Sequence, residues 1–372
     1  MPEPILLMSY ALGIGGSERQ LTEMALALDR SEFTPHVACF RNQGFRAEEL
    51  QRMGVPVLHL PIRSFGSLSA IRGAETLRKY LHSHRIRLVH TFDYPTTSFA
   101  IPAARLFGTP VVLSSMRCHR DLVPGWHRRF AGVTDRLADG IVVNCDFVRQ
   151  HLMGDEGVPE QKIHLCYNGV DVNRFPAASR KRRPELHDAA LVIGTVAALR
   201  PEKGLNLLLA AFAQIRRDGM KLVLVGSGES RPALESQVEQ LGLQASCLFQ
   251  SATNEVASWL GSIDIFVLPS RSEGLSNSLM EAMTSGCAVV ASRVGGNPEL
   301  ATHGETGLLF QDGDVTELAA NLSQLIDDAD RRRRLGEAAG KRMCEHFSLA
   351  SASRRLGEIY RQQLSRVGGL PC

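Results

Sequence analysis

The chain has 372 residues, 44% of them hydrophobic and 22% charged, with a formal net charge of +3. That length holds about two domains of ordinary size, and the slight basic excess permits an anionic ligand or a membrane surface without pointing to nucleic acid. The longest apolar runs, such as LVLV and AVVA, fall far short of the roughly 20 residues of a membrane span, and MPEPILLMSY carries an acid where a signal peptide carries basic residues, so a soluble cytoplasmic protein is expected.

In chain order, short apolar runs alternate with amphipathic stretches: PILLMSY, a helix from Ser17, PHVACF, a helix around FRAEELQRM, VPVLHL, the helix LSAIRGAETLRKYLHSH, IRLVHTF, and onward to GIVVNC and KIHLCYNG. Such alternation predicts a parallel, doubly wound α/β sheet. Within it, VPGWHRRFAG (123–132) mixes Trp126 and Phe130 with His127, Arg128 and Arg129 on a predicted helix, which suits either a membrane interface or a packed helix with a solvated face. The pattern breaks at PAASRKRRPELHD (176–188), read as a linker whose Arg180, Lys181, Arg182 and Arg183 are solvated or touch anionic lipid head groups. It restarts with LVIGTVAALR, KLVLVGSG, IDIFVLPS and AVVASRV, each followed by a helix, and is helical nearly to its end. The domains expected are 1–176 and 189–352, joined by 177–188, with a C-terminal helix over 353–372. Eight cysteines, at 39, 118, 145, 166, 247, 287, 344 and 372, include no C-x-x-C pair and are expected to be reduced, mostly buried thiols.

Ligands of open parallel sheets bind beyond the carboxyl ends of the strands, so four loops deserve reading. GIGGSER (13–19) follows the first strand and opens a helix, with Ser17 and Gln20 spaced as a capping box and adjacent glycines that let a phosphate approach. A dinucleotide site would want a third glycine where Glu18 stands, and the next strand ends CFRN without an acid for a ribose; GSGESR (226–231) fails in the same way. LRPEKG (199–204) places Arg200 and Lys203 at a strand end, a natural clamp for a diphosphate. EGLSNSLME (273–281) places Glu273 and Glu281 eight residues apart. Were the segment wholly helical, their backbones would lie roughly 12 Å apart, which suits the two ends of one elongated ligand better than a pair flanking a single bond. Between them the amides of Gly274, Leu275, Ser276 and Asn277 are expected at a helix N-terminus, where negative charge is stabilised.

EGLSNSLMEAMTSGCAVVASRVGGNPEL, together with NGVDVNRF (168–175), LRPEKGLNLLLAAF, LVLVGSGES and GETGLLF (304–310), resembles a retaining family 4 glycosyltransferase of the GT-B fold, similar to members that build bacterial surface polysaccharides. The resemblance runs over nearly the whole chain. It implies two Rossmann-like doubly wound domains facing a cleft, the first binding the acceptor and the second a nucleotide sugar, with the final helix crossing back to the first. It assigns Glu273 to donor-sugar hydroxyls, Glu281 to the ribose, Arg200 and Lys203 to the diphosphate, and Gly15 and Gly16 to a place beside the phosphates. It makes His90 a candidate beside the reacting sugar, with Arg117, His119 and Arg120 near the acceptor. Two departures stand out: GLSNS replaces the usual GFG-P, and Phe92 occupies the next family histidine position.

The reaction implied is transfer of a sugar, with retention, from a nucleoside-diphosphate sugar, UDP-linked by first choice, to a saccharide or lipid-linked saccharide in surface polysaccharide or glycolipid synthesis. Peripheral contact with the inner face of the cytoplasmic membrane is compatible with this. No cofactor and no metal are expected, because DGD (312–314) precedes VTELAANL and Asp314 reads as a helix cap rather than an Asp-x-Asp metal site. A non-hydrolysing sugar-nucleotide epimerase and a catalytically silent nucleotide-sugar-binding protein are the alternatives.

Overall fold

A computed structural model describes residues 1–13, 15–42, 44–120, 125–177 and 180–367. They form two compact units, Met1–Gly169 with the C-terminal helix from Leu349, and Val170–Ser348. The expected sites Gly15, Gly16 and Trp126 fall on described residues, whereas Ile14 of the glycine loop, Val123 and Pro124 of the aromatic-basic segment, 178–179 of the linker and the end of the C-terminal segment beyond Val367 lie outside them.

The first unit is a seven-stranded parallel sheet. Its elements run β1 (Glu3–Ala11), α1 (Gly16–Ala27), β2 (Phe33–Arg41), α2 (Phe45–Arg52), β3 (Val57–His59), α3 (Leu68–Ser83), β4 (Leu88–Thr91), α4 (Tyr94–Leu106), β5 (Val111–Met116), α5 (Gly125–Leu137), β6 (Gly140–Val143), α6 (Asp146–Gly154) and β7 (Ile163–Leu165). The spatial order is β3-β2-β1-β4-β5-β6-β7. Central β1 reads as a continuous apolar run because both of its faces are covered: Ile5 and Leu7 pack with Leu21, Leu356 and Tyr360 on one side, and Leu6 and Met8 pack with Leu77 and Ile101 on the other.

The second unit is a six-stranded parallel sheet in the order β10-β9-β8-β11-β12-β13. It runs β8 (Leu191–Val196), α7 (Leu205–Ile215), β9 (Met220–Val225), α8 (Arg231–Gln240), β10 (Cys247–Gln250), α9 (Val256–Ser262), β11 (Ile265–Leu268), α10 (Asn277–Thr284), β12 (Ala288–Ser292), α11 (Asn297–Leu300), β13 (Leu308–Phe310), α12 (Val315–Asp327) and α13 (Ala329–His346). The last helix, α14 (Leu349–Val367), belongs to the first unit, burying Leu356, Ile359 and Tyr360 in its core.

Three local expectations differ from what forms. The N-cap of α1 is Gly15, with no side-chain cap, and Gln20 leaves the helix end to pair with Gly169 in both directions (2.9 and 3.0 Å), tying α1 to a segment 149 residues away. The three arginines of the basic cluster are paired rather than solvated: Arg180 donates to the Ile263 carbonyl, Arg182 to Ser262 O (2.5 Å) and Asp264 (2.9 Å), and Arg183 to Glu255 (2.9 Å) while lying over the Trp259 ring. The guanidiniums of Arg180 and Arg182 cap backbone carbonyls just before β11, and the second compact unit begins at Val170, where 189 was expected.

Candidate active site

The second sheet reverses its winding between β8 and β11, and a ligand crevice forms where connections leave a sheet in opposite directions. Loops from those two strands converge there. After β8 the chain makes a short 3-10 turn, Pro201–Lys203, and enters α7 through Gly204 in the left-handed region at φ 60°. Only glycine fits, since a Cβ would come within 2.1 Å of the Pro269 carbonyl oxygen on the neighbouring loop. That close approach brings Lys203 to the loop after β11: its Nζ donates to Glu273 Oε1 at 2.6 Å, and the Ser270 hydroxyl donates to the same oxygen at 2.6 Å. Backbone ties hold the arrangement, with Arg271 N donating to Glu202 O (2.8 Å).

Arg200, the other half of the predicted clamp, projects into solvent with its side chain 63% exposed and a distant contact to Glu202 at 3.8 Å. It is not held in place as Lys203 is. Gly274 and Leu275 follow Glu273 in the loop, Ser276 caps α10 by accepting from Leu279 N (3.3 Å), and Asn277 is the first helical residue. Helix therefore covers only the second half of the nine-residue segment, and Glu281 lies on α10 with its side chain buried. A third loop, after β12, completes the wall. Gly295 sits at φ 54° with room for no Cβ against the Glu273 carbonyl (2.0 Å), and Gly296 N donates to Gly274 O (2.7 Å). Ser270 and the Gly295–Gly296 pair are site-building residues that went unassigned from sequence; the adjacent glycines directly after a strand were the available signal.

In the first unit the winding reverses between β1 and β4. Gly15 and Gly16 stand at the N-terminus of α1 beyond β1. Beyond β4 and β5 lies a pocket of about 160 Å³ lined by Phe92, Asp93, Tyr94, Arg117, His127 and Arg128, among others. Arg117 reaches it through a hydrogen bond to Asn168 and lies over the Phe92 ring; burial holds its pKa down to about 10. Asp93 caps α4 and accepts from Ser9 Oγ (2.8 Å), Tyr10 N (2.6 Å) and Thr96 N (2.9 Å), and its burial raises its pKa nonetheless.

His90 lies in the core and is not among the residues lining this pocket. Its side chain is fully buried, Nδ1 pairs with Tyr360 Oη (2.7 Å) and Nε2 with Ser115 Oγ (2.8 Å), and burial, with the nearby Arg117 charge, lowers its pKa to about 3. With both ring nitrogens engaged, the neutral ring joins β4 to α14 and β5. Arg120 likewise lines the pocket but is buried in an ion-pair triad with Asp135 and Glu156. His119 lies against His151, ring centres 3.6 Å apart with the planes tilted by 32°. Together with Asp155 these histidines form the one group among the described residues whose ligand atoms lie within metal-binding reach. Within this group His151 Nδ1 pairs with Asp155 Oδ2 at 2.6 Å. Asp314, the last residue of the metal-like DGD stretch, caps α12 by accepting from Glu317 N (2.8 Å).

Two parallel α/β units, each with side chains gathered at its own reversal point, define a protein of the GT-B glycosyltransferase class. Comparison with known proteins fixes the family: residues 14–174 match the model for glycosyltransferase family 4 and residues 178–342 that for glycosyl transferases group 1. The chain belongs to the family 4 glycosyltransferases. It is 33% identical over 222 residues to the MMP alpha-(1->4)-mannosyltransferase of Mycolicibacterium hassiacum, a match covering 58% of this chain and 52% of that protein, so it spans about half that relative's length. It is 28% identical over 306 residues to a GDP-mannose-dependent alpha-(1-6)-phosphatidylinositol monomannoside mannosyltransferase of Mycobacterium tuberculosis, covering 77% of this chain and 78% of that one. Among solved structures it resembles Anabaena HepE in complex with UDP-glucose, with a TM-score of 0.86 at 21% identity over 96% of this chain and 99% of that one.

Proposed function

We propose that the protein moves a sugar, with retention and without a metal, from a nucleoside-diphosphate sugar to a saccharide or lipid-linked saccharide. The observation that carries this reading is the Lys203–Glu273–Ser270 constellation at the reversal point of the second sheet, beside the N-terminus of α10. An ammonium group has three donors. One is engaged by Glu273 and leaves two for diphosphate oxygens, while Arg200 folds in from solvent as a second cation. Charge developing on the leaving diphosphate is then met by Lys203, by Arg200 once it has folded in, and by the α10 amides, which together replace a metal ion. Glu273 Oε2 faces sugar hydroxyls and Glu281 holds the ribose. On the first unit, the pocket with Arg117, His127 and Arg128 takes the acceptor, and the Gly15–Gly16 turn offers backbone amides to phosphate.

UDP is the preferred nucleotide, supported by the ligand of the HepE fold relative. A second reading, GDP-mannose, is favoured by the donor named for the mycobacterial relative. A thermal-shift panel with UDP, GDP and ADP separates them, since a ligand at about 100 times its dissociation constant adds roughly 2.7 kcal/mol. Stabilisation by none of the three would defeat the donor assignment. Product analysis with donor alone tests the epimerase alternative, and turnover with any acceptor excludes a silent binding protein.

A further inference from the structure

Glu273 is not oriented by its own segment alone. Strands β11 and β12 are neighbours, with Leu268 opposite Ala291, so Ser292 at the end of β12 stands beside the chain that leaves β11. Its hydroxyl donates to the Ser270 carbonyl (2.6 Å), and the side-chain amide of Asn297, the first residue of α11, donates to the Ser292 carbonyl (3.1 Å). Ser270 in turn donates its own hydroxyl to Glu273 Oε1 (2.6 Å), where Lys203 Nζ also arrives. Both groups that grip Oε1 are thus pinned themselves, Ser270 through Ser292 and the Lys203 turn through the Arg271 N to Glu202 O bond (2.8 Å). Ser270, Ser292 and Asn297 are all fully buried. Buried polar side chains cost stability unless they are paired, and apolar ones would fill the ends of two central strands at less cost. A series of three that ends on a carboxylate calls for a use beyond packing. A carboxylate oxygen accepts about two hydrogen bonds, so its two donors fill Oε1, and these bonds leave Oε2 as the acceptor for a ligand.

We propose that Ser270, pinned by Ser292 and Asn297, is a positioning residue that turns one oxygen of Glu273 toward the donor sugar and so sets which sugar epimer is accepted. The proposal rests on the transferase reading, which gives Glu273 its sugar hydroxyls. A carboxylate free to rotate follows a hydroxyl from one face of the sugar ring to the other. One locked at Oε1 does not, and an epimer with that hydroxyl inverted leaves the acceptor unpaired. Ser270 touches no sugar; its effect passes through Glu273. Loss of its hydroxyl should therefore loosen sugar selectivity and lower turnover while leaving the grip on the nucleotide, which is held by other residues, as it was.

Two measurements on the full chain test this. The first needs no ligand: in denaturant unfolding of Ser270→Ala, Glu273→Ala and the double variant, the losses in folding equilibrium constant should miss additivity by about tenfold or more, as expected of a hydrogen bond to a charged group. The second compares kcat/KM for UDP-glucose against UDP-galactose and for GDP-mannose against GDP-glucose, each pair differing in configuration at one hydroxyl. The rate is read as nucleoside diphosphate released, with water as acceptor where no saccharide is supplied, and UDP and GDP are titrated alongside. Ser270→Ala should lower turnover of the preferred donor and narrow the preference within its pair, each by about tenfold or more, with nucleotide affinity kept within about twofold. Ser270→Cys, which refills the space but donates weakly, should behave like Ser270→Ala. Ser292→Ala should shift the preference in the same direction by less. Ser262→Ala, the loss of another buried hydroxyl, at the end of α9 ahead of β11, should lower stability and leave the preference unchanged. Additive losses in the first measurement, an unchanged preference in Ser270→Ala, or its recovery in Ser270→Cys would overturn the positioning while the transferase reading stands. Release from none of the four donors by wild type would defeat the transferase reading, and the selectivity claim with it.

Discussion

Replacing Lys203 with alanine should harm the fold as well as the chemistry, because it strands a carboxylate. Glu273 Oε1 receives Lys203 Nζ and Ser270 Oγ, each at 2.6 Å, and the Glu273 side chain is only 9% exposed against 22% for Lys203. At that separation two unit charges attract by about 1.6 kcal/mol at the dielectric of water and about 6 kcal/mol at an effective value near 20. Desolvation of both partners offsets much of this, so a net coupling of about 1 to 3 kcal/mol is expected. Denaturant unfolding of wild type, Lys203→Ala, Glu273→Ala and the double variant measures it directly. The double variant should be no less stable than Lys203→Ala alone, since removing the orphaned carboxylate relieves what removing the lysine imposed. A coupling below about 0.5 kcal/mol would refute the view that the pair is preset, and would leave Lys203 as solvated as Arg200.

Arg200 offers the contrast: its exposed side chain makes Arg200→Ala neutral for stability, but turnover should fall by about 10² to 10³ if it closes on the departing diphosphate, and steady-state kinetics decide. His90 predicts a pH dependence. The folded ring takes a proton only near 3, against 6.5 ordinarily, so unfolding takes up a proton once pH falls below 6.5; this contribution is complete above 6.5 and lost progressively toward 3. Between pH 7 and pH 5 about 2 kcal/mol should disappear, and His36, whose pKa burial lowers to about 4, acts in the same direction. Thermal melts across that range should show a smaller acid-side loss in His90→Gln. Finally, turnover should survive EDTA; complete loss restored by manganese or magnesium would overturn the metal-free account.

The strand–helix alternation was legible because β1, β8, β11 and β12 are buried on both faces and read as unbroken apolar runs. What depended on distant partners was not legible. Gln20 looked like half of a capping box because nothing near it reveals Gly169. Arg180, Arg182 and Arg183 looked solvated because their acceptors, the carbonyls of Ile263 and Ser262 and the carboxylates of Asp264 and Glu255, lie some 70 to 80 positions on. His90 at a strand end suggested a ligand, and only the return of α14 brings Tyr360, 270 residues away in sequence, onto its Nδ1. The candidate donor loops stood out because LRPEKG and EGLSNSLME each lie in one segment, although the lysine–glutamate pairing between them needed the approach permitted by Gly204.

The central claim is that Glu273 and Glu281 hold opposite ends of one nucleotide sugar, and calorimetric titration of the bare nucleoside diphosphate into Glu273→Ala and Glu281→Ala, with donor kinetics alongside, tests it most directly. Glu281, buried on α10, should be needed for the nucleotide itself: its loss removes an acceptor for ribose hydroxyls from ground and transition state alike, weakening nucleotide binding and raising the donor KM. Glu273, in the loop before the helix, should be nearly silent toward the nucleotide while turnover falls by orders of magnitude. Equal loss of nucleotide affinity in the two variants, or normal turnover in Glu273→Ala, would contradict the account.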